Sequence, residues 1–192
     1  MIIACLGDSI TAGSPLWDPD PAVRKKIDEP DERSQWLWWA MRANPDVDLR
    51  NHGVYGERTD QIAKRYDAAV EGAEALVVQG GINDVVQGRP VEQAAAAIAG
   101  MLHRARNAGL RVAVADVLPW NNGESRAATD IGRLNALIRA IADGQGVPLF
   151  PFHDTLLDTE RQHRMREEWT DDGDHPSVEG HRLLGERAFR VF

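Results

Sequence analysis

Four short stretches of the chain carry side chains suited to acyl transfer. Gly7-Asp8-Ser9-Ile10-Thr11 presents a hydroxyl directly after an apolar run, and Gly7 permits the sharp exit that would expose it. Asn51-His52-Gly53-Val54-Tyr55-Gly56-Glu57-Arg58-Thr59 holds two glycines, Gly53 and Gly56, where a backbone N–H can approach a ligand closely. Gly80-Gly81-Ile82-Asn83-Asp84 contributes an amide side chain. Asp171-Asp172-Gly173-Asp174-His175-Pro176 puts an Asp three residues before a His. At that spacing a carboxylate can accept from Nδ1 and leave Nε2 facing a hydroxyl. Each stretch alone has an ordinary explanation: Asp-Ser as a helix cap, a plain turn before a helix capped by Thr59, Asn as a turn residue, a surface loop. Together they supply a nucleophile, oxyanion donors, and a base with its orienting acid.

The elements between them form a βαβ series. Apolar runs at Ile2 to Leu6, Val47 to Arg50, Leu76 to Gln79, Leu110 to Asp116 and Val147 to Phe150 read as strands. The segment Pro90 to Ala108 opens on proline, stops at Gly109 and carries Val91, Ala95, Ile98 and Leu102 on one helical face. Ile131, Leu134, Ile138 and Ile141 mark a second helix with Thr129 as its cap, and a last one starts near Pro176. Such a series gives an α/β fold, a parallel sheet covered by helices on both faces. The first, third and fourth runs are almost wholly apolar and belong in the middle. The second alternates, and the fifth contains Pro148, so both suit edges. Strand order 2-1-3-4-5 follows. Its winding reverses between strands 1 and 3, where ligands bind at the carboxyl ends. All four chemical stretches lie at or near strand exits. The whole chain, 1–192, reads as one domain.

The four stretches resemble the blocks of the SGNH hydrolase (GDSL-type esterase/lipase) family. Those blocks are GDS(L), a glycine, GxND and DxxH, and they stand here in the family's order as Gly7-Asp8-Ser9, Gly56, Gly81-Ile82-Asn83-Asp84 and Asp172-Gly173-Asp174-His175. The resemblance implies a flavodoxin-like three-layer α/β/α sandwich. It implies Ser9 as nucleophile, His175 as base, Asp172 as its orienter, and an oxyanion hole made by the N–H of Ser9, the N–H of Gly56 and the Asn83 amide. Gly53 is a rival for the glycine. No cofactor and no metal are expected.

Bulk properties narrow the partners. A net charge of -8 argues against nucleic acid and against an anionic membrane. The single Cys5 lies in an apolar run and reads as a small buried hydrophobe. With no signal peptide or spanning segment in sight, the reading is a cytoplasmic enzyme acting on a small-molecule ester. Asp8, Glu57, Asp84, Asp171, Asp172 and Asp174 are expected at the crevice mouth. Such a rim favours neutral esters, short-chain or acetyl ones, including those of carbohydrates. Trp17 and Trp120 are candidates to line the site, and Leu118-Pro119-Trp120-Asn121-Asn122-Gly123 a specificity wall. Trp36 and its neighbours Trp38 and Trp39 read as core, with room for a homo-oligomer interface on that helix. The charged loop from Thr11 to Pro30 reads as a lid, an arm or a solvated excursion. Two other classes compete: a metal-dependent phosphoesterase on Asp8, Asp84, Asp174 and His175, and a non-catalytic small-molecule or carbohydrate-binding module.

Overall fold

The structure, a computed structural model, describes residues 1–161 and 163–192. Five parallel strands, β1 (Ile2–Gly7), β2 (Asp48–Gly53), β3 (Ala75–Val78), β4 (Arg111–Ala115) and β5 (Leu149–Phe150), form one sheet in the order β2-β1-β3-β4-β5. This is the order that strand patterning predicts. Ten α-helical segments connect and cover it: α1 (Ser9–Ala12), α2 (Pro21–Arg24), α3 (Trp36–Ala43), α4 (Thr59–Lys64), α5 (Tyr66–Ala69), α6 (Ile82–Val86), α7 (Val91–Asn107), α8 (Ser125–Gln145), α9 (Phe152–Leu156) and α10 (Val178–Leu183). The last continues into a π-turn over Leu184–Ala188. None of these helices is long and apolar enough to cross a membrane among the described residues.

Alternation along the strands splits the core between two faces. Ile3 and Cys5 of β1, with Ala75 and Val77 of β3, pack against Trp36 and Leu37 of α3 and against Phe150, Phe152 and Phe189. Ala4, Leu6, Leu76 and Val78 point the other way, onto Ile62 of α4, Ile98 and Leu102 of α7 and Leu134 of α8. Burial on both sides is what a doubly covered parallel sheet demands of its central strands. Cys5 is fully buried, and burial pushes its thiol pKa up, so it behaves as a core residue. Trp36 is fully buried too, in edge contact with Phe152. A Cβ on Gly185 would meet Trp36 O at 2.4 Å, so a glycine is required where the C-terminal turn crosses α3.

Several local expectations shift. Helix α8 starts at Ser125, and Thr129 lies inside it with its hydroxyl bonded to Ser125 O, so it does not cap. Helix α4 begins with Thr59, and the position before it is Arg58. The Thr59 hydroxyl has been recruited by Asp84 instead. The loop after α1 is no bare excursion: residues 11–14 are buried, Asp20 caps α2, and Arg24 lies over the Trp17 ring at 4.4 Å. Trp17 is thus packed under Arg24 within its own loop.

Candidate active site

The reversal of winding between β1 and β3 opens a crevice at the carboxyl ends of the strands, and the four chemical stretches enter it. Strand β1 leads straight into α1. Asp8 caps this helix, its Oδ1 accepting from Ile10 N–H at 3.0 Å, and Ser9 is its first residue. The helix-cap reading of Asp8 holds, and the cap sets Ser9 at the first position of α1. Ser9 is 4% exposed. His175 Nε2 lies 3.2 Å from Ser9 Oγ, and Nδ1 lies 2.8 Å from Asp172 Oδ2. Asp172 Oδ1 takes the backbone N–H groups of Asp174 and His175 at 2.8 and 2.7 Å. Burial works to raise the Asp172 pKa, but the hydrogen bonds from His175 and the two backbone groups outweigh it and hold the carboxyl below its usual range. Asp172 thus stays ionised opposite Nδ1. Asp174 does not compete for the imidazole, since it turns to Trp120 and Asn122.

The two glycines differ in their surroundings. Gly53 N–H is bonded to Asn51 Oδ1 at 2.9 Å, and a Cβ there would meet Ala12 N at 2.0 Å. Gly53 is the point where the exits of β1 and β2 touch, backbone on backbone. Gly56 has φ +76° and open space around its Cβ direction. Among the described residues its N–H and that of Ser9 have no hydrogen-bond acceptor. Asn83, second residue of α6, donates one Nδ2–H to Glu57 O at 3.1 Å, which ties the amide to the Gly56 loop. Arg65 ties that loop in turn to the strands: it pairs with Glu57 and donates to His52 O and Gly7 O at 2.9 and 3.0 Å.

The acidic rim is smaller than expected. Asp84 is fully buried, accepting from Thr59 N–H and Oγ and from Arg89 at 2.9, 3.0 and 2.5 Å. Asp8 is fully buried as well, and burial pushes its pKa up to about 6. Glu57 is spent on Arg65. Only Asp171, Asp172 and Asp174 remain exposed near His175. The four side chains a metal-dependent site would use thus turn to separate partners, and among the described residues no group of three such ligands converges. His181 is fully buried, and burial pushes its pKa down to about 3, so it is a neutral core residue.

Two features escaped sequence reasoning. Tyr55 is 65% exposed, and its ring lies 6.0 Å from the His175 ring, tilted by 31°. An aromatic between two glycines of a ligand-facing loop was the available signal. The second is a groove of about 650 Å³ between the loop after α6 and the start of α8, lined by Val85, Val86, Val91, Trp120, Asn122 and Ala127 among others. Neither Ser9 nor His175 lines it, but Trp120 and Asn122 belong both to it and to the hydrogen bonds on Asp174.

The profile of the GDSL-like lipase/acylhydrolase family matches residues 5–183. A structure from Desulfitobacterium hafniense, described as lipolytic and of the G-D-S-L family, is similar with a TM-score of 0.79 and 20% identity over 96% of this chain and 95% of its own. A lipase/acylhydrolase from Enterococcus faecalis gives 0.75 and 20% over 96% and 91%, and a GDSL-like lipase from Bacteroides thetaiotaomicron 0.74 and 22% over 96% and 83%. Identities this low speak to the fold. No curated protein sequence matches the chain.

Proposed function

The chain belongs to the GDSL-like lipase/acylhydrolase family, serine hydrolases acting on esters, and from that premise we propose that it cleaves neutral carboxylic esters, short-chain or acetyl esters of polar alcohols such as sugars, through an acyl-enzyme on Ser9. The observation that carries this reading is the linear relay Ser9–His175–Asp172, with bonds of 3.2 and 2.8 Å. An imidazole held by an ionised carboxylate on one nitrogen and facing a hydroxyl with the other is arranged to remove a proton. A binding module has no use for that alignment.

In the proposed cycle His175 takes the Ser9 proton as Oγ attacks the ester carbonyl. The oxyanion is received by the N–H groups of Ser9 and Gly56 and by the Asn83 amide, whose second Nδ2–H remains for it beside the one on Glu57 O. His175 then protonates the departing alcohol, and water repeats the sequence on the acyl-enzyme. Tyr55, exposed beside the imidazole, is placed to touch a bound ester. The neutral-substrate preference rests on Asp171, Asp172 and Asp174, and on the groove, where Arg89, Arg126 and Arg133 each have an acidic partner. Paired guanidinium groups are poor hosts for a phosphate, while Trp120 and several valines suit an uncharged substrate face.

The test is a panel of p-nitrophenyl esters of rising chain length beside acetylated sugars, with wild type and Ser9→Ala. Ser9→Ala should remove turnover and fluorophosphonate labelling while the fold survives, and EDTA should change nothing. Retention of wild-type esterase activity by Ser9→Ala would overturn the assignment. Strong preference for long acyl chains or anionic esters would overturn the substrate class.

A further inference from the structure

His175 stands on an exposed loop with neither helix nor strand to stiffen it. Part of its order is internal. Thr170 Oγ donates to His175 O at 2.7 Å and accepts from Gly173 N–H at 2.9 Å, and Asp172 Oδ1 closes the turn over residues 174 and 175. The rest comes from the loop after β4, fifty residues away in sequence. Asn121 N–H donates to Gly173 O at 3.0 Å. Asn122 Nδ2 donates to Asp172 O at 2.8 Å and to Asp174 Oδ1 at 2.7 Å, and Trp120 Nε1 reaches the same Oδ1 at 2.5 Å. Every residue from Asp172 to Asp174 is thereby gripped from outside.

The grip is itself anchored. Asn121 exchanges side-chain bonds with the backbone of Met165, donating to its O at 3.0 Å and accepting from its N–H at 2.7 Å, and Met165 is buried in the core. Trp120 packs against Gly123, where a Cβ would come within 2.6 Å of the indole. Gly173 has φ +82°, and a Cβ on it would meet the Asn122 amide at 2.8 Å, so the two loops fit with no spare room. Asp174 Oδ1 receives two N–H donors, and bonds to an ionised acceptor are the stronger kind.

Resting on the Ser9–His175 reading, we propose that Trp120 and Asn122 are positioning residues: through Asp172 and Asp174 they hold the imidazole within reach of Ser9. The His175–Ser9 bond is already long at 3.2 Å. A loop shift of about 1 Å would break it, and misplacement of that size can cost on the order of a hundredfold in rate. The same two side chains line the neighbouring groove, so the competing role is plain substrate contact.

The experiment separates the two on the full-length enzyme. It uses p-nitrophenyl acetate, whose acyl group is too small to fill the groove, and the second-order rate of Ser9 labelling by a fluorophosphonate. Asn122→Ala and Asp174→Ala should each lower kcat and the labelling rate by roughly tenfold with KM within about twofold, and Trp120→Phe by about threefold. Asp174→Asn keeps an amide oxygen that accepts both donors and should recover most of the rate. Circular dichroism at the assay temperature shows that each variant compared is folded, and Trp120→Phe and Asn122→Ala carry the test if Asp174→Ala is not. Wild-type kcat and labelling in Asn122→Ala and Trp120→Phe, or a change confined to KM, would overturn the positioning role while an inactive Ser9→Ala left the underlying reading intact. An active Ser9→Ala would bring down both.

Discussion

Asp116 lies just beyond the carboxyl end of β4, 2% exposed, in the wall of a cavity of about 260 Å³ shared with Asn135, Arg139 and His153. Its Oδ1 accepts from His153 N–H at 2.7 Å, while Oδ2 has no partner among the described residues. Burial pushes its pKa from 3.8 up to about 6. The folded chain therefore holds this proton between those values and the unfolded chain does not, so stability falls as pH rises through that window and the penalty is complete above it. At about 1.4 kcal/mol for each tenfold change in proton affinity, the penalty at about pH 8 is roughly 3 kcal/mol. Asp116→Asn keeps the acceptor for His153 and removes the charge, but it leaves an amide N–H₂ in the place of Oδ2, which costs about 1–2 kcal/mol. The net expectation is a gain of about 1–2 kcal/mol near pH 8, or a Tm rise of about 2–8 °C for a chain of this size. At about pH 4, where the wild-type carboxyl is protonated, the gain should vanish or reverse. Urea unfolding of both proteins across that range measures it. Parallel stability curves from acid to alkaline pH would refute the argument that an uncompensated buried charge resides at Asp116.

Two further outcomes concern the oxyanion side. Asn83→Ala should lower kcat by about a hundredfold with little change in KM, because in the proposed cycle its amide serves the developing charge and not ground-state binding; steady-state kinetics on one ester decides this, and a pure KM effect would contradict it. Gly53→Ala should fail to fold, since its Cβ would lie 2.0 Å from Ala12 N, whereas Gly56→Ala meets nothing within 4 Å and should fold yet lose rate through strain at φ +76°. Thermal melts and kinetics on the pair check this, and a fully active Gly56→Ala would refute the argument that strain at φ +76° displaces this loop.

Much of this was readable in the chain. Strand order followed from which runs were apolar throughout and which alternated or held Pro148. That proline still accepts a ladder bond from Val114 N–H through its carbonyl. The chemical residues were legible because each sits beside a glycine or a turn at the end of a strand, so local backbone freedom and topology told the same story. What could not be read was the fate of charges. Asp84 and Glu57 look like rim acids until Arg89 and Arg65, five and eight residues further along but brought back by the turns between, claim them. Nothing local announces that Asp174 turns from His175 to Trp120. Capping went astray for a related reason: Thr129 has the chemistry of a cap, but α8 gains another turn ahead of it, so its hydroxyl back-bonds inside the helix. Tyr55 was overlooked because an aromatic in a loop carries no periodic signal.

The two borders of the sheet have a consequence for how the chain behaves in company. At one side β5 provides only two residues of ladder. At the other, β2 begins with Asp48 and Arg50, paired with each other and half open to water. A stray strand seeking to extend the sheet would find too little backbone at the first border and charge to strip at the second. Refolding at high concentration should accordingly yield little fibrillar material.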